Sequence, residues 1–231
     1  MKIAIIPARG GSKRIPRKNI KDFNGKPIIA YSIEAALASG CFDKVIVSTD
    51  DAEIAEVAEQ YGAEVPFMRP AEVSDDFATT GDVIVHAINW YASQDQLIDY
   101  ICCIYATAPF ISIEDIRNTH QVLLRDTFAD YCFPVCEFPF PIQRGIKLLP
   151  DSRVAMFQPK YFNTRSQDLE SGYHDIGQFY WGKPSAYLAG IPMFSDKAVA
   201  YPVSRKRVVD LDTLEDWDFA LLLSQALKGK K

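Results

Sequence analysis

Five cations crowd one short loop near the start of the chain: Arg9, Lys13, Arg14, Arg17 and Lys18, set around Gly10, Gly11 and Ser12. The loop follows an apolar run, Ile3 to Ile6. A buried strand that empties into such a loop can cradle phosphate, because glycines let backbone N–H groups close on an anion that the cations neutralise. A solvated basic turn is the alternative, but so dense a cluster is out of keeping with a net charge of -5. The loop lacks the second glycine of G-x-x-x-x-G-K-[ST] and the spacing of G-x-G-x-x-G. Neither a P-loop nucleotide hydrolase nor a dinucleotide-binding protein is therefore supported. Pro16 keeps the chain from passing straight into a long helix.

Asp210 and Asp212 form the second group. At a strand end, residues i and i+2 project to the same side, so both carboxylates can face one ion. Oxygen ligands suit Mg²⁺, with Mn²⁺ as a substitute, and one or two carboxylates plus phosphate oxygens is the usual magnesium arrangement. The competing reading makes Asp212 merely the start of the last helix, beside Thr213. Arg165, Gln167 and Asp168 lie in a compact TRSQDLE run, where Arg165 can bind a carboxylate bidentately. A plain surface loop explains that run too, and Gln143-Arg144 has the same ambiguity. His86 and His120 fall within amphipathic helical stretches and read as structural, whereas His174 is placed to line a pocket. No Ser/His/Asp or Cys/His nucleophile pattern stands out. Cys132 and Cys136 are four apart, with no second pair or histidine nearby to complete a zinc site.

Positioning these groups requires a scaffold, and the spacing predicts one. Strands are expected at 2–7, 44–49, 99–105 and 130–136, and helices at 27–39, 51–61, 81–93 and 113–125. Pro27 opens the first helix, Gly40 and Gly62 follow the ends of the first two, and Thr79 or Thr80 and then Ser112 are candidate caps. A strand-like stretch at 207–211 precedes a helix at 213–227 capped by Thr213. Such alternation predicts an α/β fold: three αβα layers around a mainly parallel, Rossmann-like sheet. Ligands in such sheets bind at the carboxyl ends of the strands. The cationic loop, Ser48-Thr49-Asp50-Asp51, Ala106-Thr107-Ala108-Pro109 and Asp210-Leu211-Asp212 should then rim one cleft. Residues 137–180, rich in proline and aromatics, break the pattern. They read as a smaller lobe within a single domain of residues 1–231, built over the cleft or into a partner subunit.

Composition narrows the classes. With 231 residues, the chain suffices for one large domain. Its acidic balance argues against non-specific nucleic-acid binding, and no apolar stretch reaches the roughly 18 residues of a membrane span. Pro7 and Arg9 interrupt any signal-peptide core. Four of the five cysteines lie in apolar, strand-like segments, as buried reduced thiols would. A cytoplasmic protein is expected.

The loop IPARGGSKRIPRKNI is similar to the first motif of the CMP–acylneuraminate synthetases, the cytidylyltransferases that activate sialic acids. The resemblance continues through VSTDD, the run from Asp75 to Thr80, TRSQDL and VDLDT, and spans about residues 2–220. Where sialic acid enzymes carry Gln-Pro-Thr-Ser-Pro, this chain reads Tyr105-Ala106-Thr107-Ala108-Pro109, so the role of that glutamine is not transferred to Tyr105. YATAPF, FPIQR and YHDIGQFYWG resemble the branch acting on pseudaminic acid, a bacterial nonulosonic acid used on flagellin and surface glycans. The KDO cytidylyltransferases, with Pro-Gly-Lys-Pro at residues 16–19, are more distant.

The resemblance implies a nucleotide-diphospho-sugar transferase type of fold and a transfer of CMP from CTP to the sugar acid. It implies nucleotide contacts from Ala8, Arg9, Gly10, Gly11, Ser12, Lys18, Asn19, Thr79 and Thr80, with Arg9 and Lys18 catalytic. Asp210 and Asp212 would be catalytic through Mg²⁺, and Gln143, Arg144, Arg165, Gln167, Asp175 and Gln178 are candidate sugar contacts. It also implies a homodimer whose lobe, 137–180, packs across the interface and acts as a lid. Within the family the alternatives are N-acetylneuraminic and legionaminic acid as substrates. Outside it stand a glycosyltransferase, for which Asp210-Leu211-Asp212 matches D-x-D, and a non-catalytic nucleotide-binding regulator.

Overall fold

A computed structural model describes residues 1–75 and 77–228. Asp76, part of the run from Asp75 to Thr80, lies outside the described residues. Strand β1 (Lys2–Pro7) leads into the cationic loop, which closes with a short hairpin, β2 (Asp22–Phe23) and β3 (Lys26–Pro27). Helix α1 (Ile28–Ser39) follows, then β4 (Lys44–Ser48), α2 (Ala52–Gln60), α3 (Thr80–Ser93), β5 (Tyr100–Ile104), α4 (Ile113–Arg125) and β6 (Tyr131–Glu137). A free-standing hairpin, β7 (Ile146–Leu148) and β8 (Val154–Met156), precedes β9 (Tyr173–Asp175) and β10 (Phe179–Gly182). Helix α5 (Pro184–Leu188), strand β11 (Ala198–Pro202) and helix α6 (Leu214–Lys228) complete the chain.

The main sheet has the order β11-β6-β10-β5-β1-β4, with β9 also paired to β6. β1 pairs in parallel with β4 and β5, and β6 with β11; β10 runs antiparallel between β5 and β6. Both faces are covered. Ala4 and Ile6 of β1 pack with Ile29 and Ile33 of α1, Ile54 of α2 and Ile116 of α4. Ile3 and Ile5 pack with Ile84 and Ile88 of α3 and Tyr187 of α5. Alternate residues of a strand face opposite sides, so covering both sides requires the unbroken apolar run. The expected three layers and mainly parallel sheet are present.

Two expectations change. The stretch 207–211 is not a strand: a 3-10 turn at Arg205–Arg207 leads into irregular chain, and the C-terminal strand is β11. Its apolar residues serve a third cluster, in which Leu211 packs with Ile15, Phe23, Phe110 and Trp217. The lobe is also shorter than residues 137–180, because β6 includes Glu137 while β9 and β10 join the main sheet. Phe179 and Tyr180, at the end of that range, are buried sheet together with Trp181. Capping follows the local sequence. Thr79 and Asp82 form a reciprocal capping box on α3, Ser112 caps α4, and Thr213 with Asp216 does the same service for α6.

Candidate active site

The loop after β1 borders a cavity of about 490 Å³ with Arg9, Ser12, Lys13, Arg14, Lys18 and Asn19 along one side. Thr79, Thr80, Arg69, Tyr105 and Thr107 line the rest. Crowding of cations around one hollow gives it a positive field that suits an anion. The loop is held open by its own side chains. Asn19 Nδ2 donates to the Arg9 carbonyl at 2.9 Å, and Lys18 Nζ donates to the Leu211 carbonyl at 2.6 Å. Arg9 Nη1 donates to the Asp75 carbonyl at 2.9 Å.

The two glycines differ. A Cβ on Gly10 would lie 2.6 Å from Asp51 Oδ2, whereas one on Gly11 would meet nothing within 4 Å. The Gly10 N–H donates to Asp50 Oδ1 at 2.9 Å, so this amide is turned to a carboxylate and not into the cavity. Ala8 is likewise structural, buried and donating its N–H to the Ser48 carbonyl at 2.9 Å. Arg17 takes a left-handed backbone, φ 54°, and its guanidinium pairs with Asp51 and Glu53. Asp51 also accepts from the N–H groups of Glu53 and Ile54, capping α2. The Arg17 guanidinium, together with those N–H groups, holds the Asp51 carboxyl below the usual carboxylate range. Arg17 is thus a brace, and the carboxylates at the end of β4 organise the loop from behind.

Asp212 comes next to the loop through Lys18 and Arg14, Asp210 feels the charge of Lys18, and neither carboxylate lines the cavity itself. Arg14 Nη2 lies 2.8 Å and Lys18 Nζ 3.6 Å from Asp212 Oδ1. Leu211, buried between the two carboxylates, replaces the expected strand as the anchor that leaves both clear of the core. Desolvation, then the charge of Asp212, pushes the Asp210 carboxyl up. A nearby like charge favours the uncharged form of a carboxyl, and a bound cation would relieve it. Among the described residues no group of three or more His, Cys, Asp or Glu forms a metal cluster. A pair of carboxylates beside a cation-rich loop still fits Mg²⁺, which takes one or two carboxylates and fills its remaining positions with other oxygens and waters.

The residues singled out for the sugar divide three ways. Gln143, Arg144, Arg165 and Gln167 sit in the lobe and do not line this cavity. Gln143 is buried and donates to the Glu170 carbonyl at 2.9 Å; Arg144 reaches the Thr164 carbonyl at 3.4 Å; Arg165 pairs with Asp168 at 2.7 Å. Gln178 is an internal tie, 3% exposed, donating to the Arg207 carbonyl at 2.9 Å. It joins β10 to the segment carrying the acidic pair. Asp175 accepts from the Tyr180 hydroxyl and lines a second, more open cavity of about 510 Å³ with His174, Phe133 and Phe194. His120 stacks on Trp181, and burial pushes its imidazole down to about 4, in keeping with a structural role.

Sequence reasoning missed Arg69. It is 6% exposed, lies 3.8 Å from Asp50 and faces the cavity. Burial, reinforced by Arg9, lowers its affinity for its proton. Nothing in FMRP marks it; only the bridge between Thr49 and Met68 carries it to the end of β4.

A family model described as "Cytidylyltransferase" matches residues 3–138. The chain is 46% identical over 221 residues to a pseudaminic acid cytidylyltransferase of Campylobacter jejuni, covering 96% of this chain and 95% of that one. The chain belongs to the cytidylyltransferase family. It is also 32% identical to the CMP-N,N'-diacetyllegionaminic acid synthase of Legionella pneumophila, over 93% of this chain and 92% of that protein. Among solved structures, a CMP:2-keto-3-deoxy-manno-octonic acid synthetase complexed with CTP superposes with TM-score 0.72 at 17% identity, covering 97% of this chain and 98% of that one. That likeness bears on the fold. The chain is therefore a nucleotidyltransferase.

Proposed function

We propose that this cytidylyltransferase converts CTP and pseudaminic acid to CMP-pseudaminic acid and diphosphate. The observation that carries the reading is the cationic cavity at the end of β1, in a chain nearly half identical to a relative of that name along its whole length. Arg9, Ser12, Lys18 and Arg69 hold the triphosphate, with Thr79, Thr80 and Asn19 beside it. The anomeric hydroxyl of the sugar acid attacks the α-phosphorus in line. A new O–P bond forms, the bond to the β-phosphate breaks, pyrophosphate leaves with its electron pair, and the hydroxyl proton passes to water. Positioning and charge neutralisation supply most of the rate in such transfers. Asp210 and Asp212 would hold Mg²⁺, which supplies Lewis-acid neutralisation of phosphate charge when bound.

The lobe supports a homodimer. Phe140, Leu148, Phe157 and Phe162 are exposed on or beside the unpartnered β7–β8 hairpin, and an apolar surface of that kind is normally covered. A second copy seated there would bring Arg144, Arg165 and Gln167 to a neighbouring site, which suits their distance from their own cavity. No helix among the described residues is long and apolar enough to cross a membrane. Five buried free cysteines support action in a reducing compartment, the cytoplasm, where CTP is available.

Pyrophosphate release with CTP and Mg²⁺, offering pseudaminic, N-acetylneuraminic and legionaminic acids side by side, tests the reading. A preference for pseudaminic acid is expected. Preference for another acid overturns the substrate, and release with none overturns the reaction.

A further inference from the structure

Asp210, Leu211 and Asp212 belong to no helix or strand; the 3-10 turn at Arg205–Arg207 precedes them and α6 follows. Without a ladder to fix it, such a segment is placed by its ties to other elements. Two of these ties come from cations that line the cavity. Lys18 Nζ donates to the Leu211 carbonyl at 2.6 Å, and Arg14 Nη2 lies 2.8 Å from Asp212 Oδ1. A third comes from α6, where Asp216 Oδ2 accepts from the Asp212 N–H at 3.1 Å. These three hold the segment from Leu211 onward. Asp210 lies ahead of them and needs a hold on its own side.

Arg207 supplies that hold. Gln178 Nε2 donates to the Arg207 carbonyl at 2.9 Å, and Arg207 Nη2 donates to Asp115 Oδ2 at 2.8 Å. Both partners are buried and fixed in turn. The Asp115 N–H donates to Ser112 Oγ, the cap of α4. The Gln178 carbonyl accepts from the N–H of Tyr105 at 2.8 Å, and Tyr105 lines the cationic cavity. The turn that carries Gln178 also backs Asp210 directly. Gly177 has φ 61°, and a Cβ there would stand 3.7 Å from Asp210 Oδ1.

We propose that Gln178, Arg207 and Asp115 are positioning residues that set Asp210 in place for the reaction. The inference rests on the reading of Asp210 and Asp212 as the carboxylates that would hold Mg²⁺. Its logic is two clamps on one short span. The hydrogen bond on the Arg207 carbonyl fixes where the chain enters the segment, and the charge-assisted bond on its guanidinium fixes how that entry is turned. Lys18 closes the other end at Leu211. Val208, Val209 and Asp210 are all that lies between the clamps, and so short a closed span has little freedom to lose. Loosening either clamp lets Asp210 drift, and a misplacement of about 1 Å can cost about 10²-fold in rate. The three residues act through Asp210 and touch neither substrate.

Titration calorimetry with CTP on the full-length protein, once with Mg²⁺ and once with EDTA, separates the parts. Affinity in EDTA reports the cationic loop, and the gain on adding Mg²⁺ reports the acidic pair. Gln178→Met keeps the side-chain length and loses the donor. It should leave the EDTA affinity in place, shrink the Mg²⁺ gain about tenfold and lower kcat about 10- to 100-fold. Asp115→Ala should do the same, and Asp115→Asn, which still accepts from Arg207, should recover most of the loss. Arg117→Met is the control for plain destabilisation. Arg117 also sits on α4, but it donates to the Ser39 and Ala38 carbonyls at 2.7 and 3.0 Å. Its loss should lower the melting temperature and leave the Mg²⁺ gain alone. An unchanged Mg²⁺ gain in Gln178→Met and Asp115→Ala, an equal loss of affinity in EDTA, no recovery in Asp115→Asn, or the same shrinkage in Arg117→Met each overturns the proposal. A wild-type protein without any Mg²⁺ gain overturns the metal reading first, and this inference with it; a wild-type gain that the variants do not move overturns this inference alone.

Discussion

Replacing Gly10 by alanine should damage both the fold and the nucleotide site, while the same change at Gly11 should do neither. The Gly10 methyl would stand 2.6 Å from Asp51 Oδ2 and 3.0 Å from its Cβ. Relief requires Asp51 to move, and Asp51 caps α2 and pairs with Arg17. Loss of an aspartate cap costs about 1 kcal/mol. The Arg17 pair is partly exposed, so its screened contribution is only about 0.5 kcal/mol. The sum of about 1.5 kcal/mol corresponds to a fall of roughly 3–6 °C in melting temperature for a domain of this size. Arg17 and the Gly10 amide also tether the loop to the end of β4, so CTP affinity should drop in parallel. Differential scanning calorimetry and titration calorimetry with CTP give the two readouts. Gly11→Ala, with nothing within 4 Å of the new methyl, should match wild type in both. Equal behaviour of the two variants would refute the packing argument, and a stability loss without any change in CTP affinity would refute the tethering.

Asp212→Ala should lower kcat by about 10²–10³ if it serves the transferring phosphate. It should leave the melting temperature close to wild type, because the α6 cap rests on Asp216 and Thr213; chelation of Mg²⁺ should silence the wild-type enzyme and re-addition restore it. Arg69→Met removes a buried cation from the cavity and should weaken CTP about 10- to 100-fold, as for a lost charge-assisted hydrogen bond; titration calorimetry with CTP decides it. Asp51→Asn should be less stable than wild type at neutral pH. The folded carboxyl titrates below its usual 3.8, so its stabilising contribution is complete above that pH and is lost as pH falls below it. The gap between variant and wild type in urea denaturation should therefore close in acid. Phe157→Asp, in the exposed lobe, should shift a dimer toward monomer in light scattering without unfolding the sheet.

The sequence alone determined the layers. Unbroken apolar runs such as Ile3–Ile6 state that a strand is covered on both faces, and Thr79, Ser112 and Thr213 mark helix starts through hydrogen bonds made within a few residues. It also marked the cationic loop, because five charges and two glycines lie within ten residues. What it could not determine depends on partners far away in the chain. Arg17 and Arg9 look alike in the loop, yet one is consumed by Asp51 and Glu53 while the other faces the cavity. Gly10 and Gly11 differ only because Asp51 approaches one of them. The strand-like reading of 207–211 failed because apolar residues there fill a side cluster under α6, and local pattern does not say which surface an apolar residue covers. Phe179 and Tyr180 fell inside the expected lobe because the four residues of β10 are too few to show a period, and only sheet pairing reveals that this strand divides β5 from β6. The place of Arg69 at the cavity exists only after folding, because burial gives a guanidinium a direction that composition cannot carry.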